Sequence, residues 1–215
     1  MGKQVFVTGG TGYIGQRLVP LLVSRGHVVR ALVRSKSRAR LPQGCEAVIG
    51  DALDSRTFAG QISPSTVFIQ LVGISHPSPA KAEEFKRVDL ASVRASVAAA
   101  TTGKIEHFIY VSVAQPAPVM AAYVRVRAEG EDLIRRSGMP ATILRPWYVL
   151  GPGHRWPYLL LPIYSLAERL PATREGARRL RPVRLQDVLT TLVSAVESEP
   201  SGVRIVEATE IAGGS

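Results

Sequence analysis

A single cysteine, Cys45, in 215 residues excludes a disulfide framework and any zinc centre built on thiolates. No apolar run approaches the roughly 18 residues that a membrane-spanning helix needs. The four histidines, His27, His76, His107 and His154, are dispersed without metal-ligand spacing, so no metal is expected. Lysine is scarce, 5 of the 27 basic residues against 22 arginines. Residues 1–45 contain no Asp or Glu; Glu46 is the first acid. The chain enters Gln4-Val5-Phe6-Val7 with no signal-peptide pattern, which leads to the expectation of a cytoplasmic protein without a membrane partner.

What is present describes one well-filled core. The chain is 46% hydrophobic and 20% charged, with a mean hydropathy of +0.11, outside the range of disordered chains. We expect one domain, with a core over 1–150 and a short region over 151–215. The net charge is +10 and the isoelectric point about 10.3, which fits an anionic ligand as well as nucleic acid. Arg174, Arg178, Arg179, Arg181 and Arg184 form a late basic cluster, but no interleaved aromatics or DNA-reading helix accompany it. Nucleic acid is therefore not expected. The acid-free opening carries Arg17, Arg25, Arg30, Arg34, Arg38 and Arg40, so a negative ligand is expected near the first two elements.

Strands and helices alternate. Strands are predicted at Gln4–Thr8, Val28–Val33, Glu46–Ile49, Thr66–Val72, His107–Val113, Ala141–Leu144 and Val203–Glu207. Helices are predicted at Tyr13–Arg25, Ala80–Thr102, Val119–Ser137, Tyr158–Leu170 and Leu185–Glu199. Such alternation implies right-handed crossovers and an α/β fold with a doubly wound parallel sheet. The Ala-rich stretch 91–100 permits close helix approach, compatible with either a monomer or a homodimer.

Between the first strand and first helix stands Thr8-Gly9-Gly10-Thr11-Gly12-Tyr13-Ile14-Gly15. Glycines spaced by three at this junction allow a tight turn, let a pyrophosphate approach the backbone and let the helix pack on the strand. The helix N-terminus then offers free N–H groups and a positive dipole end. Past the second strand, an acid would bind the ribose hydroxyls of NAD, whereas an arginine accommodates the 2′-phosphate of NADP. The chain has Arg34-Ser35-Lys36-Ser37-Arg38 there, so NADP(H) is expected over NAD(H), with Arg34, Ser35 and Arg38 at the phosphate. Asp51, after the third strand, would accept from the adenine amino group.

Tyr123 and Arg127 stand at i and i+4 and share a helix face. A cation beside a phenol favours its ionised form, which suits proton transfer to or from a carbonyl or hydroxyl during hydride transfer. Ser112 ends the fifth strand, where its hydroxyl would orient the substrate oxygen. A plainer reading pairs Arg127 with Glu131, also at i+4, on the helix surface, and places Tyr123 on an apolar face.

These motifs, with Leu144-Arg145-Pro146, Gly151-Pro152-Gly153 and Val183–Val188, resemble the short-chain dehydrogenase/reductase superfamily. The resemblance is to its extended and atypical branch of epimerase-like and NmrA-like NAD(P)-binding proteins, and it covers nearly the whole chain. It implies a Rossmann-type sheet with a short C-terminal substrate lid. Gly9, Thr11, Gly12, Tyr13, Ile14 and Gly15 would hold the pyrophosphate, and Asp51 and Ala52 would flank the adenine. Leu71, Val72 and Gly73 would line the adenosine side, and Pro146 and Tyr148 the nicotinamide. Asp89 matches the place of an Asn that steadies the family's active site. Ser112 and Tyr123 match the catalytic Ser and Tyr. His76, Gln115, His154 and Trp156 are candidate substrate contacts in loops at the same edge, and the apolar stretch from Trp156 suits a flat or greasy small molecule such as a quinone.

Two departures qualify the resemblance. The family has Tyr-xxx-Lys where this chain has Arg127, and arginine keeps the charge but is planar and does not deprotonate. Only about 65 residues follow Gly151, short of the usual enclosure for a nucleotide-sugar. The expected activity is therefore hydride transfer between NADP(H) and a small carbonyl or alcohol. A catalytically idle NADP(H) sensor or scaffold is the alternative, and epimerase or dehydratase chemistry the weaker one.

Overall fold

The computed structural model describes residues 2–75, 77–153 and 173–213; His76, His154, Trp156 and the expected helix Tyr158–Leu170 lie outside them. Runs of β-branched and aromatic residues form the strands. In chain order these are β1 (Gln4–Thr8), β2 (Val28–Val33), β3 (Glu46–Ile49), β4 (Val67–Gln70), β5 (His107–Val111), β6 (Ala141–Arg145), β7 (Val149–Leu150), β8 (Val183–Arg184) and β9 (Val203–Glu207). Seven of them form one parallel sheet in the order β3-β2-β1-β4-β5-β6-β9. The order reverses direction between β1 and β4, the switch point at which open α/β sheets take ligands. Thr8 stands level with Leu32 on one side and Gln70 on the other, so the loops leaving these strands share one edge.

Six helices matter to the packing: α1 (Gly15–Ser24), α2 (Ala91–Thr102), α3 (Ala121–Arg136), α4 (Arg174–Arg179), α5 (Leu185–Glu197) and α6 (Ala208–Gly213). The two-residue period of β1 divides the core. Val5 and Val7 pack with Leu18 and Leu22 of α1 and Val188 and Leu192 of α5. Phe6 faces the other layer, with Phe68, Phe108 and α2. Its ring lies 5.3 Å from that of Phe68, which lies 5.2 Å from that of Phe108. This is the expected doubly wound α/β architecture, a Rossmann-type sheet.

The structure departs from the predicted elements in three places. The expected helix Ala80–Thr102 is interrupted. A 3-10 turn at Pro79–Lys81 and one α turn at Ala82–Glu84 lead into a π turn at Phe85–Leu90 before α2 begins. Wide turns of this kind often mark functional positions, and this one contains Asp89. The paired β7 and β8 were not predicted, because two residues carry no readable period. The terminal helix α6 likewise follows β9 without a sequence signal.

One core residue makes stability depend on pH. His107 on β5 is 2% exposed, and its Nε2 lies 2.9 Å from Thr142 Oγ1 on β6. Burial, with a smaller contribution from the Lys3 charge, lowers its pKa from 6.5 to about 4. The folded-state value lies below the unfolded one. Stability is therefore unaffected above pH 6.5 and falls as the unfolded chain takes up a proton that the folded chain refuses, down to about pH 4. The full difference is about 3 kcal/mol. Urea denaturation of the native chain and of His107→Gln across this window checks the expectation: the variant loses that part of the pH dependence.

Candidate functional site

The glycine turn sets the floor of the site. Gly9 has φ +80°, and a Cβ there would stand 2.8 Å from the Leu71 carbonyl carbon. A Cβ on Gly15 would collide with the Gly9 carbonyl oxygen and the Gly10 backbone. Both positions thus exclude a side chain, and the main chain of β1 turns directly into α1. A cradle without side chains at a helix N-terminus is what a pyrophosphate requires.

Two adjoining clefts open along this edge. One, about 390 Å³, runs from Gly9 and Gly12 past Leu71, Val72 and Gly73 to Asp51 and Ala52. The other, about 520 Å³, runs from Thr11, Tyr13 and Ile14 past Ser112 and Tyr123 to Pro146 and Tyr148. Gly9, Thr11, Gly12, Arg40, Leu71 and Gly73 line both, so the two form one trough across the switch point.

The basic end differs in detail from the sequence expectation. Arg34, Ser37 and Arg40 line the smaller cleft, whereas Ser35 and Arg38 are not among its lining residues. The segment Ser35–Arg40 is a 3-10 helix. Its three-residue period brings positions 34, 37 and 40 to one side. Arg34, Arg38 and Arg40 are exposed and make no ion pair among the described residues. Asp51 lies across the cleft, its Oδ1 accepting from the Leu53 N–H at 3.0 Å.

At the other end, α3 brings Tyr123 and Arg127 together. The guanidinium carbon of Arg127 lies 5.1 Å from the Tyr123 ring centroid. Arg127 does not pair with Glu131 on the helix surface. It is 5% exposed and donates to Asp89 Oδ1 at 2.6 Å, to the Val111 carbonyl at 3.0 Å and to the Tyr110 hydroxyl at 3.3 Å. Burial works against the Arg127 charge, but Tyr110, Tyr123 and Asp89 outweigh it and hold the guanidinium protonated. Asp89 is fully buried and also accepts from the Ile74 N–H at 3.1 Å. Burial raises its pKa, and the Arg127 charge opposes that rise. A Cβ on Gly73 would collide with Arg127 Nη2, so glycine makes room for the pair beneath the trough.

Ser112 is fixed by its N–H, which donates to the Leu144 carbonyl at 2.7 Å. Its hydroxyl donates to Glu131 Oε1 at 2.6 Å, and Gln115 Nε2 donates to the same oxygen at 2.6 Å. Glu131 is fully buried and also receives Arg135 at 2.8 Å and Arg145 at 2.6 Å. The sequence reading gave Glu131 only the role of a surface partner for Arg127. The spacing Tyr123, Arg127, Glu131, Arg135 is i, i+4, i+8, i+12 and held the signal for a shared helix face. Arg40, Met120, Trp147 and Tyr110 also went unassigned, although the first three line the larger cleft.

A family model described as NAD(P)H-binding matches residues 9–155. The chain belongs to this NAD(P)H-binding family. Over 93% of its length it is 31% identical to the 3-diazoavenalumate denitrifying reductase of a Streptomyces species, covering 74% of that protein. Over 88% of its length it is 28% identical to the ceramide reductase of Caulobacter vibrioides, covering 60% of it. The chain thus spans three quarters of the first relative and less than two thirds of the second. Its fold matches the Bordetella bronchiseptica enzyme WbmH, solved with NAD+, at a TM-score of 0.71 and 22% identity, covering 94% of this chain and 75% of that one. Family and fold agree with the resemblance to the extended, atypical short-chain dehydrogenases. No helix among the described residues is long and apolar enough to cross a membrane.

Proposed function

We propose that the chain is an NADP(H)-dependent reductase of small carbonyl compounds. The observation that carries this is the single trough with a phenol at one end and exposed arginines at the other. Gly9, Gly12 and Gly15 hold the pyrophosphate, and Arg34, Ser37 and Arg40 take the 2′-phosphate by charge-assisted hydrogen bonds. When bound there, the cofactor would supply the hydride for reduction of a carbonyl. Tyr123 delivers the proton to the carbonyl oxygen, and the buried Arg127 stabilises the charge left on the phenol. The named reductases among the relatives support the reaction class.

Calorimetric titration with NADPH and NADH tests the cofactor assignment. NADPH is expected to bind more tightly, and Arg40→Ala to weaken NADPH by about tenfold or more while leaving NADH unchanged. Equal affinities in the native chain overturn the preference. NADPH oxidation over a panel of aldehydes, ketones and quinones tests the reaction.

A second reading rests on the same geometry. Arg127 is committed to Asp89 and Ser112 to Glu131, an arrangement compatible with a cofactor-dependent scaffold that carries out no turnover. Binding of NADPH together with inactivity across the carbonyl panel favours this reading.

A further inference from the structure

The Ser112–Glu131 contact determines which hydrogen-bonding face Ser112 can show a ligand. A serine hydroxyl has one proton and two acceptor lone pairs. Glu131 Oε1 receives Ser112, Gln115 and Arg145 Nε, the last at 3.0 Å, and Oε2 receives Arg135 and Arg145 Nη2. Amide and guanidinium groups thus surround the carboxylate, and the only proton for the 2.6 Å contact is that of the hydroxyl. Both ends are nearly or fully buried, 4% exposed for Ser112 and 0% for Glu131, and the bond from the Ser112 N–H to the Leu144 carbonyl fixes its backbone. The proton has no lower-cost direction, because turning it toward the cleft would leave the hydroxyl oxygen and a carboxylate oxygen 2.6 Å apart with no proton between them.

From this geometry we infer that Ser112 faces the cleft as a hydrogen-bond acceptor only, with Glu131 as its positioning residue. The substrate subsite beside Tyr123 therefore takes a molecule with a hydroxyl next to its reacting carbonyl. This rests on the reductase reading and narrows it. A bare carbonyl oxygen meets no donor at Ser112, and its proton comes from Tyr123. A neighbouring hydroxyl donates to Ser112 and fixes the face presented to hydride. Tyr123, Trp147, Tyr148 and Met120 line the same cleft, which suits aryl or other flat apolar substituents on that hydroxyketone.

Neutron diffraction on deuterium-exchanged crystals reads the first half of the inference directly. The Ser112 deuteron is expected between Oγ and Glu131 Oε1, and a deuteron directed into the cleft overturns the assignment. Calorimetry on the NADP+-loaded protein reads the second half with two probes that differ by one hydroxyl, benzoin and deoxybenzoin. Benzoin is expected to bind about fivefold to tenfold more tightly, and Ser112→Ala to bring the two together. Glu131→Gln offers Ser112 an amide in place of an obligate acceptor and is also expected to erase the preference. Arg145 keeps Glu207 and Arg135 keeps Asp132 in that variant, and a purely structural Glu131 would leave the probe ratio unchanged. Equal affinity of the two probes in the native chain, or binding of neither, overturns the subsite. NADPH titration on the same samples judges the cofactor reading separately.

Discussion

Replacing Asp89 with alanine is expected to destabilise the fold by about 3–5 kcal/mol. The substitution leaves the Arg127 guanidinium buried without its counter-charge. Tyr110, which also favours the Arg127 charge, does not replace the carboxylate. Tyr110 is fully buried, and burial, against the opposing influence of Arg127, pushes its phenol up to about 12, so it stays neutral at physiological pH. The Val111 carbonyl contributes only a dipole. The double variant Asp89→Ala, Arg127→Met removes both charges and is expected to recover most of the loss. Urea denaturation of the native chain, both single variants and the double variant closes the cycle. Equal destabilisation of the Asp89 single variant and the double variant would show that the pair contributes packing and not compensated charge.

The Asp89–Arg127 pair also marks the limit of what the sequence reveals. Local features were legible. The strand β1, the glycine turn and β2 each announce themselves within a few residues through a run of branched side chains, a spacing of three and a second apolar run. The alternation of these units led to the doubly wound sheet. The shared face of Tyr123 and Arg127 was legible for the same reason, since one helical turn separates them. The partner of Arg127 was not, because Asp89 lies 38 positions away and meets it only once the π turn and the sheet are in place. Glu131 was misread as a surface residue because its partners Ser112 and Arg145 stand 19 and 14 positions away, one just past β5 and the other on β6. The arginines that follow β2 fall between these cases. Their presence was legible from composition. Which of them face the cleft depended on the helical period of Ser35–Arg40, which the sequence does not announce, and without it the expectation is Arg34, Ser35 and Arg38 instead of Arg34, Ser37 and Arg40.

Tyr123→Phe is expected to lower kcat by about 10²–10⁴ with the NADPH dissociation constant nearly unchanged. Ser112 has no proton to give, because Glu131 holds it. Arg127 is buried and its neighbours keep it protonated, so it supplies field and not protons. Among the described residues three phenols remain along the wall of the larger cleft, Tyr13, Tyr123 and Tyr148. Tyr13 lies at the glycine turn, where a Cβ on Gly151 would collide with its hydroxyl. Tyr148 follows β6, and burial pushes its phenol up, a direction that opposes release of a proton. Of the three, Tyr123 alone has a guanidinium 5.1 Å from its ring centroid in the cleft that Ser112 also lines. Tyr148→Phe is accordingly expected to keep kcat within a few-fold of the native value, and the ratio between the two variants is the measurement. If Tyr148→Phe shows the larger loss, the proton donor moves to the end of β6 and Tyr123 becomes an aromatic shelf for Arg127. If neither substitution changes kcat, the proton comes from solvent, and the trough would bind its cofactor without side-chain acid catalysis.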